Sequence, residues 1–289
     1  MKAIVIGANG QDGFYLIKAL HRKNIEVVGI SRNGDFLKTD ITNFNEVSTL
    51  IKFHKPDYIF HLAANSTTSH HALFDNHNAI STGSINLLEA VKQFSPDTKI
   101  FLSGSGLQFV NNNKPIKETD PFEASSSYSV ARIHSVYAAR YYRSLGMKVY
   151  VGYFFNHESP RRTPRHVSKM IGDAVKRIHE GSAEKIEIGD MSVTKEWTFA
   201  GDIVEGIITL ISQNDIFETV IGSGLGYSIK QYIENCFALI AKDWKEYVIE
   251  KEHFISEYKQ LVSDPSTLFS LGWKPAHSFE DLAKMMVLN

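Results

Sequence analysis

Cysteine is nearly missing from this chain. Cys236 is the only one among 289 residues, so no disulfide can form within it, and the composition suits a reducing compartment. Cys236 sits in the apolar run at residues 236–240, where a small core residue is expected rather than a reactive thiol. A surplus of charge is missing too. Thirty-one basic residues (31) balance 32 acidic ones, for a formal net charge of -1. No basic block or stripe appears, so no nucleic-acid or membrane-surface partner is expected. No apolar run is long enough to span a bilayer, and the short one at residues 3–6 stops at Gly7 without a cleavage pattern. A cytoplasmic protein is expected. There is no internal repeat. His70, His71 and His77 have no cysteine or acidic cluster beside them, so loop positions in water are expected there and no metal site.

What the chain does have is a regular alternation. Hydrophobic residues make up 43% of it, ample for a buried core. Short β-branched runs at residues 3–6, 26–30, 58–62, 99–102 and 148–155 are separated by helical patterns at about 14–20, 45–53, 85–94 and 128–145. Strand-helix alternation of this kind predicts an α/β fold: a doubly wound, parallel Rossmann sheet covered by helices on both faces, over residues 1–155. The pattern changes after Asn156. A proline- and arginine-rich loop at 159–164 precedes a helix at 167–180, a strand at 185–188, a helix at 203–212 and a run of shorter elements. Residues 156–289 are expected to form mainly a smaller, C-terminal substrate-binding lobe, with about 198–222 returning to the first domain.

Gly7, Gly10 and Gly13 fall directly between the first strand and the first helix, spaced G-x-x-G-x-x-G around Ala8, Asn9, Gln11 and Asp12. In that position glycines serve a stated mechanism. One makes the tight turn, one lets backbone approach a pyrophosphate, one packs helix on strand, and the helix N-terminus favours negative charge. The end of the second strand carries no acid to hold ribose hydroxyls. Ser31 and Arg32 stand there instead and suit a 2′-phosphate, so NADP is favoured over NAD. Asp40 and Ile41 suit the adenine. Leu62, Ala63 and Ala64 follow the third strand, with the two alanines small enough for close approach of a cofactor.

Tyr128 and Arg132 lie one turn apart at the start of a helix. The pair resembles the Tyr-x-x-x-Lys of short-chain dehydrogenases. The resemblance implies that Tyr128 is the acid/base of hydride transfer and that Arg132 stands where a lysine lowers the tyrosine's pKa and holds the nicotinamide ribose. Arginine keeps the charge but not the geometry. Three segments resemble the GDP-mannose 4,6-dehydratase family, within the extended epimerase/dehydratase group: residues 7–13, the run from Phe155 through Asn156, His157, Glu158, Ser159 and Pro160 to Arg162, and the run Leu271-Gly272-Trp273-Lys274-Pro275. The similarity covers nearly the whole chain, and the middle run is the most specific.

That resemblance implies an NADP(H)-dependent enzyme acting on a nucleotide-linked hexose, with a GDP-hexose favoured and a homodimer or homotetramer as the assembly. It places Phe155 and His157 beside the cofactor, Asn156 on the diphosphate, Val167 and Lys169 by the base, Lys195 in place of a phosphate-binding arginine next to Trp197, and Glu257 on the ribose. Phe254 stands where the family has another arginine. Arg161, Arg162, Arg165 and His166 are expected to meet phosphate or a neighbouring subunit. The apolar side of the helix bearing Tyr137, Tyr141 and Tyr142 is expected to pack on such a subunit.

The chain also departs from the family. Counted back from Tyr128, the catalytic threonine falls on Gly104 and the dehydratase glutamate on Gly106. Ser103 or Ser105 is the expected replacement for the threonine at the sugar O4. Glycine has no proton to move, so elimination across C5–C6 lacks its acid/base. The expectation is therefore hydride exchange at hexose C4, of reductase, oxidase or epimerase type. A dehydratase using another acid, and a non-catalytic protein that binds NADP and a nucleotide sugar, remain alternatives.

Overall fold

The computed structural model describes residues 1–288. Its centre is a six-stranded, wholly parallel sheet. The strands and helices of the first half are β1 (Lys2–Ile6), α1 (Gln11–Arg22), β2 (Glu26–Ile30), α2 (Phe44–His54), β3 (Tyr58–His61), α3 (Leu73–Asn76), α4 (Gly83–Phe94), β4 (Lys99–Ser105), α5 (Ser127–Ser144) and β5 (Val149–Phe154). A 3-10 turn and a π turn flank α3, so the predicted loop around His70 and His77 is mostly helical.

Successive strand residues are buried on opposite faces, as a sheet covered on both sides requires. Ile4, Ile6, Ile100, Leu102, Val149 and Val151 join one core with α2, α4 and α5. Their neighbours Ala3, Val5, Phe101 and Tyr150 join another with α1 and with Ile203, Ile207 and Leu210 from later in the chain. The helices supply apolar faces at helical spacing, such as Leu16, Ala19 and Leu20 on α1, and Leu87, Leu88 and Val91 on α4.

The chain then continues through β6 (His157–Glu158), α6 (Val167–His179), β7 (Ile186–Ile188), β8 (Thr194–Glu196), β9 (Thr198–Phe199), α7 (Ala200–Ile211), β10 (Glu218–Ile221), β11 (Gly226–Ser228), α8 (Ile229–Ala238), β12 (Val248–Glu250), β13 (Gln260–Leu261), α9 (Ser266–Ser270) and α10 (Phe279–Leu288). β10 adds to the edge of β5, which gives the strand order β2-β1-β3-β4-β5-β10. The remaining helices α6, α8 and α10 enclose a separate core of Ile171, Val175, Ile233, Phe237, Leu282 and Met286. Trp197 anchors it, stacked on Tyr232 at 4.2 Å between ring centroids. The carboxyl ends of β1, β3, β4 and β5 face the gap beside this second core, and the order of the sheet reverses at β1. Crevices at such switch points bind ligands in open parallel sheets.

Candidate active site

The loop from Gly7 to Gly10 is shaped by close packing. Gly7 has φ +91°, and a Cβ there would sit 2.9 Å from Ala63 N. A Cβ on Gly13 would meet Gly7 O at 2.3 Å, so α1 approaches β1 as closely as only glycine allows. No side chain caps α1 at Gly10. The first amides of this 12-residue helix are therefore left for an anion, which is the fit a dinucleotide pyrophosphate requires.

These residues form one wall of a cavity of about 620 Å³. Gly7, Gly10, Gln11, Asp12 and Gly13 line it from one side, and Leu62, Ala64 and the polar run Ser66–Thr68 from the end of β3. Asn156, His157 and the arginine loop that follows β6 close the far side. Arg161, Arg162, Arg165 and His166 all reach the cavity. Arg162 is paired with buried Glu158 at 3.1 Å, Arg161 lies over the Phe14 ring at 3.9 Å, and Arg165 donates to Ser66 Oγ at 3.2 Å. Burial, reinforced by the Arg162 charge, depresses the His166 pKa to about 4, so this ring is neutral at physiological pH.

The two sides are tied together beneath the glycine loop. His157 Nε2 and Asp12 Oδ1 are 2.9 Å apart, and Ser159 Oγ donates to Gln11 Oε1 at 2.8 Å. Burial opposes charge on both members of the first pair, but their mutual attraction prevails. The Asp12 pKa is lowered and that of His157 raised, which makes them an ion pair.

Tyr128 opens α5 and reaches the cavity with Arg132, Ser103 and Ser105. Its position follows from the helix start, since Ser126 caps α5 by accepting from Ser129 N. The Arg132 guanidinium lies 5.0 Å from the centre of the Tyr128 ring. One of its nitrogens donates to Ser103 at both the carbonyl and Oγ, the latter at 2.7 Å. Ser103 Oγ in turn donates to His61 O at 3.1 Å, so its proton is spent. Ser105 Oγ accepts from Leu107 N at 3.2 Å and keeps its proton for a ligand.

Gly104 and Gly106 are held as glycines by their neighbours. A Cβ at Gly104 would lie 2.5 Å from Tyr153 Cδ1, because the two residues are partners in the β4–β5 register. A Cβ at Gly106 would lie 2.9 Å from the Phe155 ring. Both rings are buried.

Several residues singled out in the sequence stand outside the lining of this cavity. Asn9, Ser31, Arg32, Asp40, Ile41 and Ala63 are not part of the cavity lining. Arg32 is exposed and near the Asp40 carboxylate, and Ser31 Oγ accepts from Asn33 N at 3.3 Å. Of the substrate set, Asn156 and Glu257 line the cavity while Val167, Lys169, Lys195 and Trp197 do not. Lys169 pairs with Asp173 at 2.7 Å. Lys195 is buried over the Trp197 ring at 4.5 Å, and burial lowers its pKa. Sequence reasoning passed over Ser66, Thr67 and Thr68, although a hydroxyl-rich run directly after Ala64 was a signal that could have found them.

The sequence of residues 4–286 matches the family model for GDP-mannose 4,6 dehydratase. The chain belongs to the GDP-mannose 4,6-dehydratase family. Among its relatives is GDP-mannose 4,6 dehydratase 1 of Arabidopsis thaliana, 32% identical over 99% of this chain and 88% of the relative. The fold is that of the Rossmann epimerases and dehydratases. RMD from Pseudomonas aeruginosa, solved with NADPH, superposes with a TM-score of 0.86 at 19% identity, covering 99% of this chain and 96% of that one. The dTDP-glucose 4,6-dehydratase of Bacillus anthracis, solved with NAD, gives a TM-score of 0.86 at 18% identity, covering 100% and 96%. Both nicotinamide dinucleotides therefore occur in proteins of this fold. Among the described residues, no helix is long and apolar enough to cross a membrane.

Proposed function

We propose that this family member is a nucleotide-sugar-modifying oxidoreductase that uses NADP(H) and acts at C4 of a hexose, with a GDP-hexose as the favoured substrate. Residues 1–155 form the dinucleotide-binding domain in this reading and residues 156–289 mainly the substrate lobe. The observation that carries it is the meeting of Tyr128 with the uncapped start of α1 in a single cavity of about 620 Å³. Gly7, Gly10 and Gly13 would hold the dinucleotide diphosphate, and Arg32 the 2′-phosphate. Bound there, the nicotinamide supplies or accepts the hydride. Tyr128 holds the proton at the sugar O4 and moves it, with the Arg132 guanidinium 5.0 Å from the centre of its ring. Ser105, with its proton unspent, positions O4 in place of the missing threonine. Asn156 and the guanidiniums of Arg161 and Arg165 suit the substrate diphosphate.

The absence of side chains at Gly104 and Gly106 supports a reaction confined to C4. A reductase, oxidase or epimerase needs only the proton and hydride steps there, whereas elimination needs a further acid/base. The test is turnover of a panel of nucleotide hexoses and their 4-keto forms, following NADPH absorbance and the product's mass. Tyr128→Phe should lower kcat by about 10²–10⁴-fold with NADP affinity kept. Unchanged turnover in that variant would remove Tyr128 from the mechanism, and release of a 4-keto-6-deoxy product would reinstate dehydration.

A further inference from the structure

Beside the cavity just described lies another of about 600 Å³. The two share Thr68, Leu107, Glu257, Tyr258 and Leu261, so they are adjoining chambers of one cleft. They differ in their cations. The first is lined by the guanidiniums of Arg132, Arg161, Arg162 and Arg165. The second has none, and its single ammonium, Lys259, is tied to Asp190 at 2.7 Å. Of the two carboxylates that line it, Glu257 is shared with the first chamber and Glu123 is its own. Glu257 accepts a hydrogen bond from Thr68 Oγ1. The Glu123 carboxylate is exposed and has no partner among the described residues.

The position of Glu123 is set by the fold rather than by chance. Its N–H donates to Gln108 O at 2.9 Å, next to the end of β4. The preceding Phe122 packs edge-on against Phe109 with centroids 5.0 Å apart. The backbone of Glu123 is thus fixed at this chamber, whose lining also includes Ser125 and Asn113.

We infer that the C6 end of the hexose reaches this second chamber past Gly106, while C4 stays beside Tyr128 in the first, and that Glu123 sets selectivity there, admitting neutral or amine-bearing hexosyl groups and rejecting hexuronates. The inference rests on the nucleotide-sugar reading above. A carboxylate accepts strongly from hydroxyl or ammonium donors. A second carboxylate placed there meets like charge with no free cation to offset it, which is selectivity by repulsion. The same polarity orients the ligand. Its diphosphate is drawn to the arginines of the first chamber, and only the C6 side of the hexose is left to the second.

Calorimetric titration of four ligands tests this: GDP-mannose against GDP-mannuronate, and UDP-glucose against UDP-glucuronate. The wild-type protein should prefer the neutral member of whichever pair it binds by about tenfold or more, the worth of one charged hydrogen bond. Glu123→Lys should invert that preference, and Glu123→Gln, which keeps the shape, should shrink it, both with NADP affinity unchanged. Equal preference in the wild-type protein and both variants would overturn the inference while leaving the nucleotide-sugar reading standing. Failure of the wild-type protein to bind any of the four would overturn that reading and the inference with it.

Discussion

Restoring a side chain at Gly104 should cost this protein stability, and the structure says how much. A Cβ there would stand 2.5 Å from Tyr153 Cδ1, inside any tolerated carbon–carbon contact. The ring cannot swing aside freely. Its hydroxyl donates to Glu218 Oε2 at 2.6 Å, and Glu218 is itself gripped by Arg140, at 2.7 Å, and by Arg143. Overpacking of this kind costs about 1–3 kcal/mol, and breaking the buried Tyr153–Glu218 hydrogen bond to relieve it adds about 1.5–3 kcal/mol. Gly104→Ala should therefore destabilise by about 2.5–6 kcal/mol, a fall in Tm of roughly 5–24 °C. Gly106→Ala should cost less, because the Phe155 ring 2.9 Å away carries no polar anchor of its own. Pairing Gly104→Ala with Tyr153→Leu opens the space and should recover part of the loss. Urea unfolding of the four proteins measures all of this. A Gly104→Ala protein as stable as the wild-type one would refute the claim that packing, and not only chemistry, keeps the family's threonine out of this chain.

Other outcomes follow from the same geometry. His157 has a raised pKa and Asp12 a lowered one, so their attraction is fully present below the ordinary histidine value of 6.5 and above the ordinary aspartate value of 3.8. It fades as pH rises through the folded-state value of His157, or falls through that of Asp12. The stability gap between the wild-type protein and His157→Gln should thus be wider at pH 5.5 than at pH 9; equal gaps in urea unfolding at the two pH values would count against an ion pair. Arg32→Ala should weaken NADP by about tenfold or more through loss of a charged contact and leave NAD unaffected, as read by fluorescence titration. Val130, Tyr137 and Tyr141 are exposed along one stripe of α5, continued by exposed Leu145 just past its end, whereas Tyr142 turns inward to Glu89. If a second copy covers that stripe, Tyr137→Glu with Tyr141→Glu should lower the mass seen in light scattering; a mass unaltered by the pair of substitutions would place any subunit contact elsewhere.

Five of the six strands of the parallel sheet were legible because each carries an apolar run, as a strand covered on both faces does, whereas β10, with Glu218 and Thr219 in its four residues, was not singled out. The glycine loop was legible because spacing and position coincide. The helix at Tyr128 was legible from its own periodicity, with an error of one residue at each end. What escaped was anything set by contacts between distant segments. Gly104 and Gly106 could be read as missing side chains, but not as spaces already filled by Tyr153 and Phe155, since that depends on the register of β4 against β5. Lys195 and Trp197 look like a polar contact and its neighbour when counted along the chain. In three dimensions Trp197 stacks on Tyr232 and Lys195 lies buried across it. The second chamber was equally hidden, because its walls come from Thr68 and from residues within 106–126 and 256–261, which only folding brings together.

The return of the chain to the sheet has a consequence for how such a molecule can be altered. After building the part of the molecule around α6, it comes back through α7, which covers the face that Leu16 and Leu20 occupy, and then adds β10 to the rim of β5. A fragment ending near residue 155 would lose that cover and leave β5 as a bare edge, prone to pair with other molecules. Grafting a foreign substrate module onto this scaffold thus requires matching two seams at once, one on each side of α7 and β10.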